Sequence, residues 1–177
     1  MNEPQTADKV LLIGMMGVGK STVGAALATR LGWPYLDNDL LLARTSGATA
    51  AEVLAAGGEQ ALREAEARVL TVMLALPGAV IGGLPAGVVL DASDRARILA
   101  APSYVVWLRA TPAVLARRIG TGSTRPFLGA DPLSVLRTMA AERDELYAAV
   151  ADQVIDVDTL PAGAIANLIV EALLARF

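Results

Sequence analysis

Short apolar runs alternate along the chain with longer stretches in which apolar residues recur at helical spacing. The runs Val10–Gly14, Pro34–Asp37, Ala79–Gly82, Tyr104–Leu108 and Gln153–Val157 read as strands. Helical patterning fills the gaps at Lys20–Leu31, Ala50–Leu54, Glu59–Leu74, Pro112–Ile119, Pro132–Ala149 and Gly163–Ala175. Strand and helix taking turns in this way predict βαβ units, and hence an α/β fold with a parallel sheet covered on both faces. A chain of 177 residues with no repeat, linker or compositional break is expected to form one domain over 1–177. The stretch 119–131, IGTGSTRPFLGAD, interrupts the pattern. Its glycine, serine and threonine content predicts a mobile segment, and Arg125 at its centre favours a lid.

Between the first strand and the first helix stands GMMGVGKST, from Gly14 to Thr22. It satisfies G-x-x-x-x-G-K-[ST] at Gly14, Gly19, Lys20 and Ser21, in the strand, loop, helix order that gives the pattern meaning. Glycine can turn backbone N–H groups inward around phosphate oxygens, because without Cβ it takes positive φ freely. The expected ligand is therefore a polyphosphate gripped by Gly14, Gly17, Val18, Gly19, Lys20, Ser21 and Thr22. Lys20 would reach the β- and γ-phosphates, Ser21 would offer its hydroxyl to Mg²⁺, and the start of the helix adds its positive field.

Composition narrows the chemistry. The chain is 54% hydrophobic but only 4% aromatic, so its core rests on Ala, Leu and Val and no base-stacking surface is expected. A net charge of −3 without a basic run removes the footprint of a nucleic-acid binder, leaving a small-molecule ligand. Cysteine and histidine are absent, which assigns acid/base and electrostatic work to Asp, Glu, Lys and Arg. The polar start, MNEPQTADK, and the lack of an apolar run near the ~20 residues needed to span a bilayer point to a cytoplasmic protein with no membrane partner, expected to be a monomer.

Two carboxylates end the second strand in Leu36-Asp37-Asn38-Asp39. In an open α/β sheet this position faces the crevice that the phosphate loop also borders. One acid can serve Mg²⁺, which uses few carboxylates, and the other can orient or deprotonate an attacking hydroxyl. Asp39 also precedes Leu40-Leu41-Leu42 and reads equally as a helix N-cap. Arginines form a third group: Arg63 in EQALREAEARVL, Arg118 and Arg125 around the interrupted stretch, and Arg143 in AERDELY. Arg63 fits a surface ion pair with Glu59 or Glu66, whereas an anionic acceptor would recruit its planar guanidinium for bidentate capture.

Taken together, GMMGVGKSTVG, LDND, GGEQALREAE, RRIGTGSTRPFL and ERDELYAAVAD resemble, in order and spacing along nearly the whole chain, the shikimate kinases. The resemblance implies a P-loop kinase, a three-layer sandwich with a five-stranded parallel sheet in 2-3-1-4-5 order, a lid at about 119–131 and an acceptor-binding helical region at about 38–66. It further implies transfer of the γ-phosphoryl group of ATP, with Mg²⁺, to the 3-hydroxyl of shikimate, an acceptor carrying a carboxylate and hydroxyls. By the same likeness Ser21 and Asp37 match the Mg²⁺ positions, Asp39 the carboxylate near the acceptor hydroxyl, and Arg63 and Arg143 the carboxylate clamp. Arg125 matches the lid arginine, Arg118 a residue lying against adenine, and Asp156 to Pro161 the loop at the base.

The chain departs from that pattern at three places. A glycine triplet expected after the third strand is broken in Ile81-Gly82-Gly83-Leu84-Pro85-Ala86-Gly87-Val88-Val89. Counting from the strand aligns Gly82-Gly83-Leu84 with it; counting back from VVLDASDR aligns Pro85-Ala86-Gly87, the preferred register, which makes Gly87 an acceptor-site residue. Ala43 replaces an expected acid, and Leu54 and Leu62 stand where bulky aromatics are expected. The nucleotide half is intact and the acceptor half altered, so another cyclic polyol acid or a sugar acid is the alternative acceptor. A nucleotide-binding protein without an acceptor is the alternative outside catalysis.

Overall fold

The computed structural model describes residues 9–120, 128–129 and 131–176. Five strands, β1 (Lys9–Ile13), β2 (Tyr35–Leu36), β3 (Val80–Gly83), β4 (Tyr104–Arg109) and β5 (Gln153–Asp156), form one parallel sheet in the order β2-β3-β1-β4-β5. This is the order implied by the family likeness. β1 is central: Val10, Leu11, Leu12 and Ile13 are wholly buried, with β3 on one side and β4 on the other. A strand apolar on both faces needs cover on both, and helices lie on both sides of the sheet.

The helices are α1 (Lys20–Leu31), α2 (Asn38–Ser46), α3 (Ala50–Ala75), α4 (Ala92–Ala100), α5 (Pro112–Ile119), α6 (Pro132–Val150) and α7 (Ala162–Leu174). The two helical runs expected at 50–54 and 59–74 are one span broken at Gly58, whose φ of 71° and ψ of −170° interrupt the helix. Thr49 starts that span with a reciprocal capping box to Glu52.

Two helices lie outside the helical runs of the sequence pattern: α4, and α2, which falls in the helical region expected at about 38–66. In α2 the N-cap is Asp37, not Asp39: its carboxylate accepts from the backbone N–H groups of Asp39 and Leu40. Asp91 caps α4 in the same way, accepting from Ser93 and Asp94. Among the described residues no helix is long and apolar enough to cross a membrane. Most of the lid expected at 119–131, including Arg125, lies outside the described residues.

Candidate active site

The chain leaves β1 through a loop whose glycines set its shape. Gly14, Gly17 and Gly19 have φ of 139°, 76° and 103°, which side-chain-bearing residues rarely adopt. At Gly14 a Cβ would also strike the carbonyl oxygen of Leu108 on β4, so glycine is needed there twice over. Gly19 N-caps α1 without a side chain, leaving the first N–H groups of that helix facing the loop. Lys20 Nζ donates to the carbonyls of Gly14 at 2.7 Å and Met15 at 3.2 Å, and Lys20 lines the cleft beyond the loop. Positive-φ glycines, uncapped helix N–H groups and the Lys20 side chain thus meet in one loop.

Ser21 and Asp37 meet at the same place. Ser21 Oγ donates to Asp37 Oδ2 at 2.6 Å, and Oδ1 accepts the two α2 N–H groups. Burial pushes the Asp37 carboxyl up, but the hydrogen bonds from Ser21, from those two amides and from Tyr35 outweigh it and hold the group below the usual carboxylate range. Among the described residues no cluster of three or more acidic side chains could hold a metal alone. A hydroxyl and an ionised carboxylate beside a phosphate loop nevertheless fit Mg²⁺, which keeps waters and binds through few protein oxygens plus substrate phosphate.

Beyond the loop opens a cleft of about 620 Å³, walled by Lys20, Ser21, Asn38, Asp39, Leu42, Glu66, Pro85 and Ala86 among others. Asp39 is exposed at its edge, and its Oδ1 accepts from Asn38 Nδ2 at 2.8 Å. On α3, Arg63 is paired to Glu66 at 2.9 Å, one of the two ion-pair partners expected from the sequence. Burial raises the Glu66 carboxyl above its usual range, against the pull of Arg63, Arg143 and Lys20. Cations from three elements, Lys20 on α1, Arg63 on α3 and Arg143 on α6, therefore act on one carboxylate.

Arg143, on α6, is the most constrained of them. It is 5% exposed, yet its Nε makes no hydrogen bond among the described residues. Glu142 Oε2 stands 3.6 Å from that atom, beyond hydrogen-bond distance, and Nη1 donates to the Ala86 carbonyl at 3.4 Å. Tyr147, one turn along α6 and fully buried against Trp107, donates to the same carbonyl at 2.6 Å. The sequence reading missed Tyr147, although its i+4 spacing from Arg143 put both on one helix face.

The loop after β3 separates the two registers for the broken triplet. Leu84 is fully buried and its N–H donates to Leu12 of β1, so it prolongs the sheet and presents no bulk to the cleft. Pro85 and Ala86 form the wall instead. Gly87 lies behind Arg63, in an adjoining cavity of about 350 Å³, where a Cβ would overlap Arg63 Nη1 and stand 2.5 Å from Glu66 Oε2. Its lack of a side chain thus admits the Arg63 guanidinium. Leu62 packs beside the Leu42–Ala65–Val69 cluster, and neither it nor Leu54 is among the residues lining the cleft. The two leucines in place of the expected aromatics therefore leave the cleft wall unchanged.

On the other flank of the phosphate loop, a cavity of about 250 Å³ is lined by Gly17, Val18, Thr22, Arg118, Val157 and Leu160 among others. Arg118 donates to the Val18 carbonyl at 3.2 Å and to that of Val157 at 2.8 Å, tying the loop to the segment after β5. Both segments expected at the base are therefore present on one wall.

Comparison with known proteins agrees with this geometry. The pattern defining the shikimate kinase family matches residues 16–174. The shikimate kinase of Moorella thermoacetica is 37% identical over 171 residues, 94% of each chain. That of Symbiobacterium thermophilum is 42% identical over 147 residues, 80% of this chain and 82% of its own. A shikimate kinase from Acinetobacter baumannii, solved in complex with shikimate, superposes with a TM-score of 0.88 at 30% identity, covering 95% of this chain and 93% of that one. A gluconokinase from Sinorhizobium meliloti, at 20% identity and a TM-score of 0.62, shares the fold.

Proposed function

This chain belongs to the shikimate kinase family, and from that premise we propose that it transfers the γ-phosphoryl group of ATP to the 3-hydroxyl of shikimate through the residues described above. The observation that carries the reading is Arg143. A guanidinium removed from water with unfilled hydrogen-bonding capacity is costly, and a carboxylate entering the cleft satisfies it. Arg63 supplies the second half of the clamp, and the pair fixes the acceptor by its carboxylate.

Each remaining residue has a task in that geometry. Backbone N–H groups from Gly17 to Thr22, with Lys20, hold the phosphates and stabilise the charge that shifts toward the leaving oxygen. Ser21 and Asp37 would hold Mg²⁺, which when bound supplies further neutralisation of the phosphate oxygens. Asp39 orients the acceptor hydroxyl and takes its proton as the new oxygen–phosphorus bond forms and the β–γ bridge bond breaks, releasing ADP. Arg118 borders the nucleotide's base. Arg125, outside the described residues, is assigned by family likeness to the transferring phosphoryl group.

A monomer acting in the cytoplasm as one domain is the form we propose, and the single five-stranded sheet supports the one domain. Release of ADP measured with shikimate, its carboxamide and a panel of sugar acids tests the reading. Turnover with shikimate and strong rejection of the carboxamide are expected. Absence of shikimate turnover beside clear activity on an uncharged polyol would overturn it.

A further inference from the structure

Tyr35, on the edge strand β2, is seated by two glycines that secondary structure alone does not favour. Gly24 lies inside α1, where glycine is a poor helix former, and a Cβ there would overlap the Tyr35 ring. Gly83 ends β3, where a Cβ would stand 2.6 Å from the Tyr35 hydroxyl. One glycine clears the ring and the other clears the oxygen, so the hydroxyl has little freedom to move. It points at Asp37 Oδ2 from 3.3 Å, the same oxygen that Ser21 Oγ reaches at 2.6 Å.

The Asp37 carboxylate is thereby held from both ends, Oδ1 by the α2 amides and Oδ2 by two hydroxyls. These donors differ in one respect. The serine oxygen has lone pairs to offer the cation while its proton stays on Asp37, whereas the tyrosine hydroxyl has no task at the metal and serves the carboxylate alone. We propose that Tyr35 is a positioning residue of the metal-bearing pair: its hydroxyl, seated by Gly24 and Gly83, fixes Asp37 Oδ2 beside Ser21 and so strengthens the coupling between divalent cation and nucleotide. Phenylalanine would fill the same space and lack this bond. The proposal rests on reading Ser21 and Asp37 as the Mg²⁺ pair.

Calorimetric titration of ADP with and without Mg²⁺ tests it, because the factor by which Mg²⁺ tightens ADP measures the coupling without turnover. For Tyr35→Phe the expected result is unchanged ADP affinity in EDTA, a gain from Mg²⁺ reduced about tenfold, and an unchanged shikimate KM. Gly83→Ala, which pushes on the hydroxyl, should reduce the gain in the parent and add nothing when combined with Tyr35→Phe. A Mg²⁺ gain equal to the parent's in Tyr35→Phe, with or without a lower Tm, overturns the proposal. So does a Gly83→Ala effect that persists without the hydroxyl. Asp37→Asn separates the premise from the proposal: if it too leaves the Mg²⁺ gain intact, the metal pair itself is misassigned, whereas its loss in Asp37→Asn alone removes only the role of Tyr35.

Discussion

In the function we propose, the two sides of the cleft recognise their ligands by different means. The nucleotide side works through backbone: three positive-φ glycines, exposed N–H groups at the start of α1, and a lysine folded over its own loop. The acceptor side works through side chains that converge from α2, α3, α6 and the loop after β3. A backbone cradle depends on glycine spacing and tolerates little change. A side-chain pocket can keep its charges while its wall varies, and in the function we propose Arg63 and Arg143 carry the charge while Pro85 and Ala86 form the wall.

Lys20→Met should have the largest effect, lowering phosphoryl transfer by about a thousandfold or more with little change in Tm, since the side chain touches loop carbonyls rather than core. Near-normal turnover would remove the loop as the catalytic nucleotide site. Next in size, Arg143→Ala should raise the acceptor KM by roughly 30- to 1,000-fold, about 2–4 kcal/mol, and leave the ATP KM near the parent's. Arg63→Ala should behave similarly. An unchanged KM with a lowered Tm would reduce Arg63 to its ion pair with Glu66.

Tyr147→Phe sharpens the contrast, because it removes one hydroxyl from the Ala86 carbonyl and nothing from the phosphate loop. Loss of about 1 kcal/mol is expected, seen as a lower Tm and a several-fold rise in acceptor KM with ATP binding spared. An equal effect on both substrates would show that the two sides are not independent. Ala86→Gly tests the rebuilt wall: a fall in acceptor KM of about two- to fivefold is expected from the return of a residue without Cβ, and a rise would mean that the methyl group packs against the acceptor.

The smallest effect concerns pH. Burial raises the Glu66 carboxyl on folding, although Arg63, Arg143 and Lys20 oppose it. A carboxyl whose pKa rises on folding contributes stability that is fully present below its ordinary value and is lost as pH climbs through the raised one. The Tm of the parent relative to Glu66→Gln should therefore be highest near about pH 4 and fall toward neutrality. A difference that grows with rising pH would mean that the three cations outweigh burial.

The same division governs what could be read in the sequence. The central strand, the phosphate loop and α1 were legible because apolar runs and glycine spacing are local signals. α4 escaped because DASDRARIL is mostly polar, although Asp91 three residues before Asp94 gave a cap signal. The cap alternative read at Asp39 belongs two residues earlier, at Asp37, whose carboxylate also accepts from Ser21. Leu84, one residue of the register counted from the strand, belongs to the sheet through its bond to Leu12, a pairing that the local sequence does not show. The Tyr147 hydroxyl is aimed at the Ala86 carbonyl on a distant loop, a relation that no periodicity records.

Binding of shikimate and its carboxamide to the ADP complexes of the parent and Arg143→Ala tests the side-chain account most directly. In the parent, loss of the carboxylate should weaken binding by roughly 30-fold or more, and in Arg143→Ala the same change should cost only a few-fold, because the arginine that read the charge is gone. An equal penalty in both proteins would contradict the assignment of Arg143 to the acceptor's carboxylate.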